Sequence, residues 1–179
     1  MILIGVSGVT NGGKSTLCKL LLNHYKNSTY ICQDTFFHSK DSGKLEYKSS
    51  LNAYNYDVFE CIDSEKFLNE LEKTVHHVAP YDVILVDGFF LFKHESLLEK
   101  FDLKYFFTLT KEECFERRSK RNYKWVGTTE YFEELVWPNY MSYLHHCQKI
   151  NNIVYLDGTL KIEETFETVR KQIDTILFK

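Results

Sequence analysis

Proline is almost absent from this chain: Pro80 and Pro138 are the two in 179 residues. There is also no internal repeat, low-complexity tract or proline-rich linker, so neither a repeat array nor a string of modules is expected. Basic residues are not in excess. Twenty-two Lys and Arg against 25 Asp and Glu give a formal net charge of -3. That balance speaks against bulk binding to a nucleic-acid backbone and leaves room only for a local phosphate site. Long hydrophobic runs are missing too. The longest, residues 83–92, is broken by Asp87 and is too short to cross a bilayer. The opening apolar stretch carries no basic leader and ends at Ser7, so a soluble cytoplasmic protein without a membrane partner is expected.

Cysteine occurs without pattern. Cys18, Cys32, Cys61, Cys114 and Cys147 are odd in number, form no CxxC pair and match no zinc spacing. Reduced thiols are the expectation, with Cys18 on the buried face of a helix. The pairs His76-His77 and His145-His146 are adjacent, so neither can face one metal from a helix.

What is present reads as an ordinary globular chain, 44% hydrophobic and 26% charged, of a length that suits one domain over residues 1–179. Short apolar runs alternate with helical patterns, the mark of stacked βαβ units. Strands are expected at 2–6, 30–33, 83–86, 103–109 and 153–156. Helices are expected at 17–25, after a Ser64 cap with Phe67, Leu68, Leu71 and Val75 on one face, from about 112, and over 130–148. A last helix should bury Phe166, Val169, Ile173, Ile176 and Leu177 on one stripe. The fold class is α/β: a five-stranded parallel sheet flanked by helices on both faces, plus a small lid at about 117–130. Residues 38–57 are polar and tyrosine-rich without periodicity, which marks a functional or mobile stretch.

Gly8-Val9-Thr10-Asn11-Gly12-Gly13-Lys14-Ser15 fits G-x-x-x-x-G-K-[ST] and lies between the first strand and the first helix. Glycines let the backbone wrap an anion and aim its N–H groups inward, and the helix N-terminus adds partial positive charge. Lys14 should reach the β- and γ-phosphates, and the Ser15 hydroxyl should bind Mg²⁺. Asp34 follows the second strand and Asp87 ends the third, so both should face the phosphate loop. One can take a proton from an attacking hydroxyl and the other can help hold the metal: Asp34 is assigned the first task and Asp87 the second. Arg117, Arg118, Lys120, Arg121 and Lys124 place five cations within eight residues. Beside a phosphate loop they read as a lid that stabilises transition-state charge. The residues therefore describe a P-loop kinase that moves the γ-phosphoryl group of a nucleoside triphosphate to a small hydroxylated substrate, with Mg²⁺ as cofactor.

Several blocks together resemble the nicotinamide riboside kinases. They are the phosphate loop running from Gly5 through Thr16, Gln33-Asp34-Thr35-Phe36-Phe37, Tyr56-Asp57-Val58, Asp87-Gly88-Phe89-Phe90-Leu91-Phe92, Arg117-Arg118-Ser119, Val136-Trp137-Pro138 and Val154-Tyr155-Leu156-Asp157-Gly158-Thr159. They run in family order over nearly the whole chain. The resemblance implies ATP as the donor and phosphorylation of the 5′-hydroxyl of nicotinamide riboside, or of its acid form, for NAD salvage. It implies Asp34 as base and as a substrate and metal contact, with Asp57 and Arg118 on the ribose. Tyr56 and Tyr123 become the aromatic walls, with Phe37 nearby. Arg117 and Arg121 face the donor phosphates, the metal lies by Ser15, Asp34 and Asp87, and the donor base lies near Thr159, Leu160, Lys161 and Ile162. Two departures stand out. Asp87 occupies a position where the family carries Glu, and the stretch after Tyr123 lacks the expected prolines.

Two rival readings are weighed. A uridine, cytidine or pantothenate kinase shares the fold, but a cationic pyridinium gains more from two aromatic faces than neutral uracil does. A nucleotide-dependent switch would carry N-K-x-D, which is absent, and Asp87-Gly88 sits in no D-x-x-G frame. A monomer acting on a small nucleoside is expected.

Overall fold

The protein is described from a computed structural model covering residues 1–121 and 128–178. β1 (Ile2–Gly8), β2 (Ser28–Cys32), β5 (Val83–Asp87), β6 (Leu103–Thr108) and β7 (Ile153–Asp157) form a sheet in the order β2-β5-β1-β6-β7, every pair parallel. A two-stranded ribbon, β3 (Tyr47–Lys48) with β4 (Ala53–Tyr54), stands apart. The helices are α1 (Lys14–His24), α2 (Ser64–Val75), α3 (Glu95–Leu98), α4 (Lys111–Ser119), α5 (Thr129–Tyr131), α6 (Trp137–Cys147) and α7 (Ile162–Leu177). None of the described helices is long and apolar enough to cross a membrane.

Strand alternation sorts the core into two layers. Ile2, Ile4, Val6, Val83 and Leu85 meet Leu17 and Leu21 of α1 and Val169 and Ile173 of α7. Leu3, Ile84, Val86 and Phe106 meet Phe67 and Leu71 of α2 and Tyr140 and Tyr143 of α6. Central strands covered on both faces must be apolar at every position, which is why they read as unbroken runs. Gly5 is small because Phe92 and Phe101 pack over it: a Cβ there would lie 2.9 Å from the Phe92 ring.

Parallel pairing brings the carboxyl ends of the strands to one edge. Val6 sits opposite Asp87, and Asp87 opposite Cys32. β5 and β6 flank β1 on opposite sides, so the loop leaving β1 opens where the chain parts, the usual ligand position in such sheets.

Local expectations need five corrections. The second strand ends at Cys32, so Gln33 and Asp34 begin a 3₁₀ turn (Gln33–Phe36). The cap of α2 is Asp63, whose carboxylate accepts the Lys66 N–H at 3.2 Å, and Ser64 is the first helical residue. The helix expected over 130–148 is interrupted by a π turn, Phe132–Val136. Pro138 has no N–H to continue the ladder, so the chain enters α6 with that proline in its first turn. In α7, Thr165, Val169 and Ile173 are buried, whereas Ile176 in the last turn is 39% exposed. Residues 38–57, expected to be aperiodic, hold 3₁₀ turns and the β3–β4 ribbon, with Asn52 at φ +48° in the connection. Strands of two residues are too short to print a period. All five cysteines are free, and Cys18 is fully buried as expected.

A buried chain of hydroxyls ties α6 to the sheet. The Phe92 N–H donates to the Tyr143 hydroxyl (2.8 Å), which lies 3.0 Å from Ser7 Oγ. Ser7 in turn donates to the Gly88 carbonyl (2.8 Å), so the Tyr143 proton goes to Ser7. Tyr143→Phe should strand the Phe92 N–H without water and cost about 1–3 kcal/mol. Thermal unfolding should fall by roughly 2–4 °C per kcal/mol for a chain this size. An unchanged midpoint would show that the chain of hydroxyls carries no stability.

Candidate active site

The phosphate loop is shaped by backbone that only glycine tolerates. Gly8 has φ +117°, and a Cβ on it would lie 2.2 Å from the Phe107 carbonyl oxygen. Gly13, at φ +111°, is the N-cap of α1 and offers no side chain to its first turn, which has no acidic residue either. By contrast, α2, α4 and α5 are capped by Asp63, Thr110 and Thr128. The N-terminus of α1 is therefore left for an anion. The Val9 side chain is turned into the core, so only its backbone can meet a ligand.

Lys14, 6% exposed, folds back over this loop. Its Nζ donates to the carbonyls of Gly8 (3.0 Å) and Val9 (2.9 Å) and lies 4.2 Å from the centroid of the Phe89 ring. Burial lowers its pKa, while Asp34 and Asp87 pull the other way. Asp87 is 1% exposed. Its two oxygens accept from Ser15 Oγ (2.6 Å) and the Tyr30 hydroxyl (2.9 Å). Asp34 leaves Oδ1 buried without a hydrogen-bond partner among the described residues. Desolvation pushes its pKa up to about 6, against the pull of Lys14 and a hydrogen bond from the Phe89 backbone. Among the described residues no group of three His, Cys, Asp or Glu could hold a metal alone. The Ser15 hydroxyl with the Asp87 and Asp34 carboxylates is instead a partial set of hard oxygen donors. It fits Mg²⁺, which keeps waters and takes substrate phosphates as its remaining ligands.

Beside this cluster opens a cleft of about 610 Å³. Phe37, Tyr56 and Phe89 supply its apolar walls, Asp34 and Asp57 its acids, and Lys14, Lys19, Arg118 and Arg121 its cations. The Phe37 and Tyr56 rings stand 5.5 Å apart. Arg118, 5% exposed, reaches Thr10 Oγ1 at 3.4 Å. Burial raises the Asp57 pKa, countered by Arg118 and by a hydrogen bond from Tyr131. A second cavity of about 260 Å³ includes Gly12, Phe107, Arg117, Leu160 and Ile162 in its lining. Asn11, Gly13, Thr16 and Arg121 border both spaces, so the two are contiguous along the loop. Arg117 Nη1 donates to the Asn11 carbonyl at 3.3 Å. Thr159 is folded onto Asp157, and Lys161 is the N-cap of α7.

Most residues expected at a site thus gather around two adjoining spaces. Tyr123 and Lys124, and with them the centre of the expected lid, lie outside the described residues. Sequence reading missed Tyr30, Lys19, Phe89 and Tyr131. Lys19 lines the larger cleft and stands one helical turn after Ser15, a spacing that could have flagged it. Tyr30 becomes visible only from the sheet order that sets β2 beside β5.

A family model described as an AAA domain matches residues 4–138. Nicotinamide riboside kinase 1 of Homo sapiens is 36% identical over 185 residues, covering 96% of this chain and 91% of that protein. Nicotinamide riboside kinase 2 of Homo sapiens is 32% identical over 195 residues, covering 98% and 82%. A solved gluconokinase from Sinorhizobium meliloti 1021 has a TM-score of 0.64 at 14% identity, covering 98% of this chain and 93% of that one, a likeness of fold alone.

The Asp34 environment has a consequence for stability. Its folded pKa of about 6 lies above its ordinary value of 3.8, so the folded state holds this proton more tightly than the unfolded state. The resulting cost is absent below about pH 4, grows as pH rises through about 6, and stays constant above. Asp34→Asn should therefore melt a few degrees higher than the wild type at about pH 7.5 and converge with it near pH 4. Melting curves of the nucleotide-free, metal-free proteins check this. A variant less stable at pH 7.5 would mean that the carboxylate is favourably held.

Proposed function

This chain belongs to the nicotinamide riboside kinases, within the AAA-domain family, and we propose that it transfers the γ-phosphoryl group of ATP to the 5′-hydroxyl of nicotinamide riboside in NAD salvage. The observation that carries the reading is the convergence of the phosphate loop, Asp34 and an aromatic, acid-lined cleft at one edge of the sheet. Nicotinic acid riboside is a second acceptor of the same shape. Residues 1–179 act as one kinase unit, monomeric and cytoplasmic.

Asp34 is the general base. With a pKa of about 6 it is ionised at neutral pH, and its unpartnered oxygen can accept the proton that the 5′-hydroxyl releases. Lys14 leaves the Gly8 and Val9 carbonyls for the β- and γ-phosphates, and Arg117 and Arg121 offset charge on the donor. Gly8, Val9, Thr10, Asn11, Gly12, Gly13 and Thr16 complete the anion cradle. Ser15, Asp87 and Asp34 would hold Mg²⁺, which when bound neutralises phosphate charge. Thr159, Leu160, Lys161 and Ile162 border the donor base.

For the acceptor, Tyr56 with Phe37 forms an aromatic wall, while Asp57 and Arg118 hold the ribose hydroxyls. The aromatic face of Tyr56 suits a cationic pyridinium better than a neutral pyrimidine. A coupled ADP-release assay against nicotinamide riboside, nicotinic acid riboside, uridine, cytidine and pantothenate tests the reading. A preference for uridine would reject the acceptor and keep the kinase.

Four variants test the roles. Lys14→Ala should abolish transfer with an unchanged circular dichroism spectrum; near-normal turnover would remove the nucleotide site from this loop. Asp34→Asn should lower kcat by about 10²-fold or more. A raised acceptor KM at constant kcat would make Asp34 a binding group instead. Tyr56→Leu should weaken nicotinamide riboside by about 0.5–2 kcal/mol more than a neutral riboside, and Tyr56→Phe far less. Equal losses for both ligands in a competition assay would discard the cation–π account.

A further inference from the structure

Tyr131 has no part in the chemistry just described, yet it touches three of the residues assigned to the acceptor. It is buried, at 1% exposure. Its hydroxyl accepts the Tyr56 N–H (3.1 Å) and donates to the Tyr54 carbonyl (3.2 Å). The Asp57 carboxylate is a further acceptor for the same hydroxyl. The Arg118 guanidinium lies 6.0 Å from the centre of its ring. One phenol thus joins the aromatic wall, the acid and the arginine of the proposed ribose pocket.

Its place in the chain adds to this. Tyr131 closes α5, whose first turn Thr128 holds by accepting the Tyr131 N–H at 3.1 Å. The π turn Phe132–Val136 follows at once. Such turns insert a residue into a helix and occur often at functional sites. Here the insertion allows Phe132, Leu135 and Val136 to be buried in the same core as Tyr131. Tyr131 is thus held behind the pocket wall by a segment whose following residues are anchored in the core.

We propose that Tyr131 is the positioning residue for the acceptor pocket, fixing Tyr56 and Asp57 on one side and Arg118 on the other. The phenol accepts the Tyr56 N–H and shares its one proton between the Tyr54 carbonyl and the Asp57 carboxylate. The hydroxyl itself touches no residue of the phosphate loop, so its loss acts on the acceptor pocket. The inference rests on the acceptor reading of the cleft, but not on which riboside is taken.

Steady-state kinetics of Tyr131→Phe, run with whichever acceptor the wild type turns over fastest, tests this. The ring over Arg118 is kept and only the hydroxyl is lost. The acceptor KM should rise about 5–20-fold, a loss in the range of one to two hydrogen bonds. The KM for ATP should stay within about twofold and kcat within about threefold. Thr128→Ala keeps the phenol and loosens its segment, so it should raise the same KM about 2–5-fold and serve if the first variant folds poorly. Equal rises in both KM values, or an unchanged acceptor KM in the folded variants, would overturn the proposal. Choosing the acceptor by assay separates this outcome from a failure of the nicotinamide riboside reading, which would show in the wild-type panel alone.

Discussion

A buried ammonium group near one buried and one half-buried carboxylate is the constraint around which the rest is arranged. Burial pushes Lys14 and Asp34 toward their neutral forms. The fold answers with fixed dipoles and short bonds: two loop carbonyls and an aromatic face for Lys14, and two hydroxyls for Asp87. Asp34 is left least satisfied, with one oxygen buried and unpartnered among the described residues, and this is the carboxylate proposed as the base.

The same edge of the sheet brings two cavities together. They share Asn11, Gly13, Thr16 and Arg121, so the phosphate loop lies between them. Arg117 and Arg118 are consecutive on α4, yet the first reaches the Asn11 carbonyl and the second Thr10. Adjacent helix positions differ by about 100° in direction. One short helix therefore lines both cavities with neighbouring residues.

Much of this was legible in the sequence. The buried strands announced themselves because a parallel sheet covered on both faces admits no polar period, and the phosphate loop because its glycines are sterically required. Asp34 and Asp87 could be placed from strand ends alone. Harder to read were features fixed by tertiary contact. Tyr30 matters only because β2 pairs with β5, and Tyr131 only because the fold brings its hydroxyl against the backbone of Tyr54 and Tyr56. The Asp63 cap shows how a boundary moves by one residue when two capping residues stand side by side.

The cysteines, scattered and unpaired, have a chemical meaning of their own. Burial pushes Cys114 up to about 11 and Cys32, Cys61 and Cys147 up to about 12, and holds Cys18 well above its ordinary value. At neutral pH scarcely any thiolate exists in the native fold, and thiolate is the form that electrophiles and oxidants attack. The folded protein is thus chemically quiet toward alkylating reagents, although it carries five thiols. Each thiol becomes reactive only when its surroundings open, so the pace of alkylation is a built-in clock for the opening of both layers of the core.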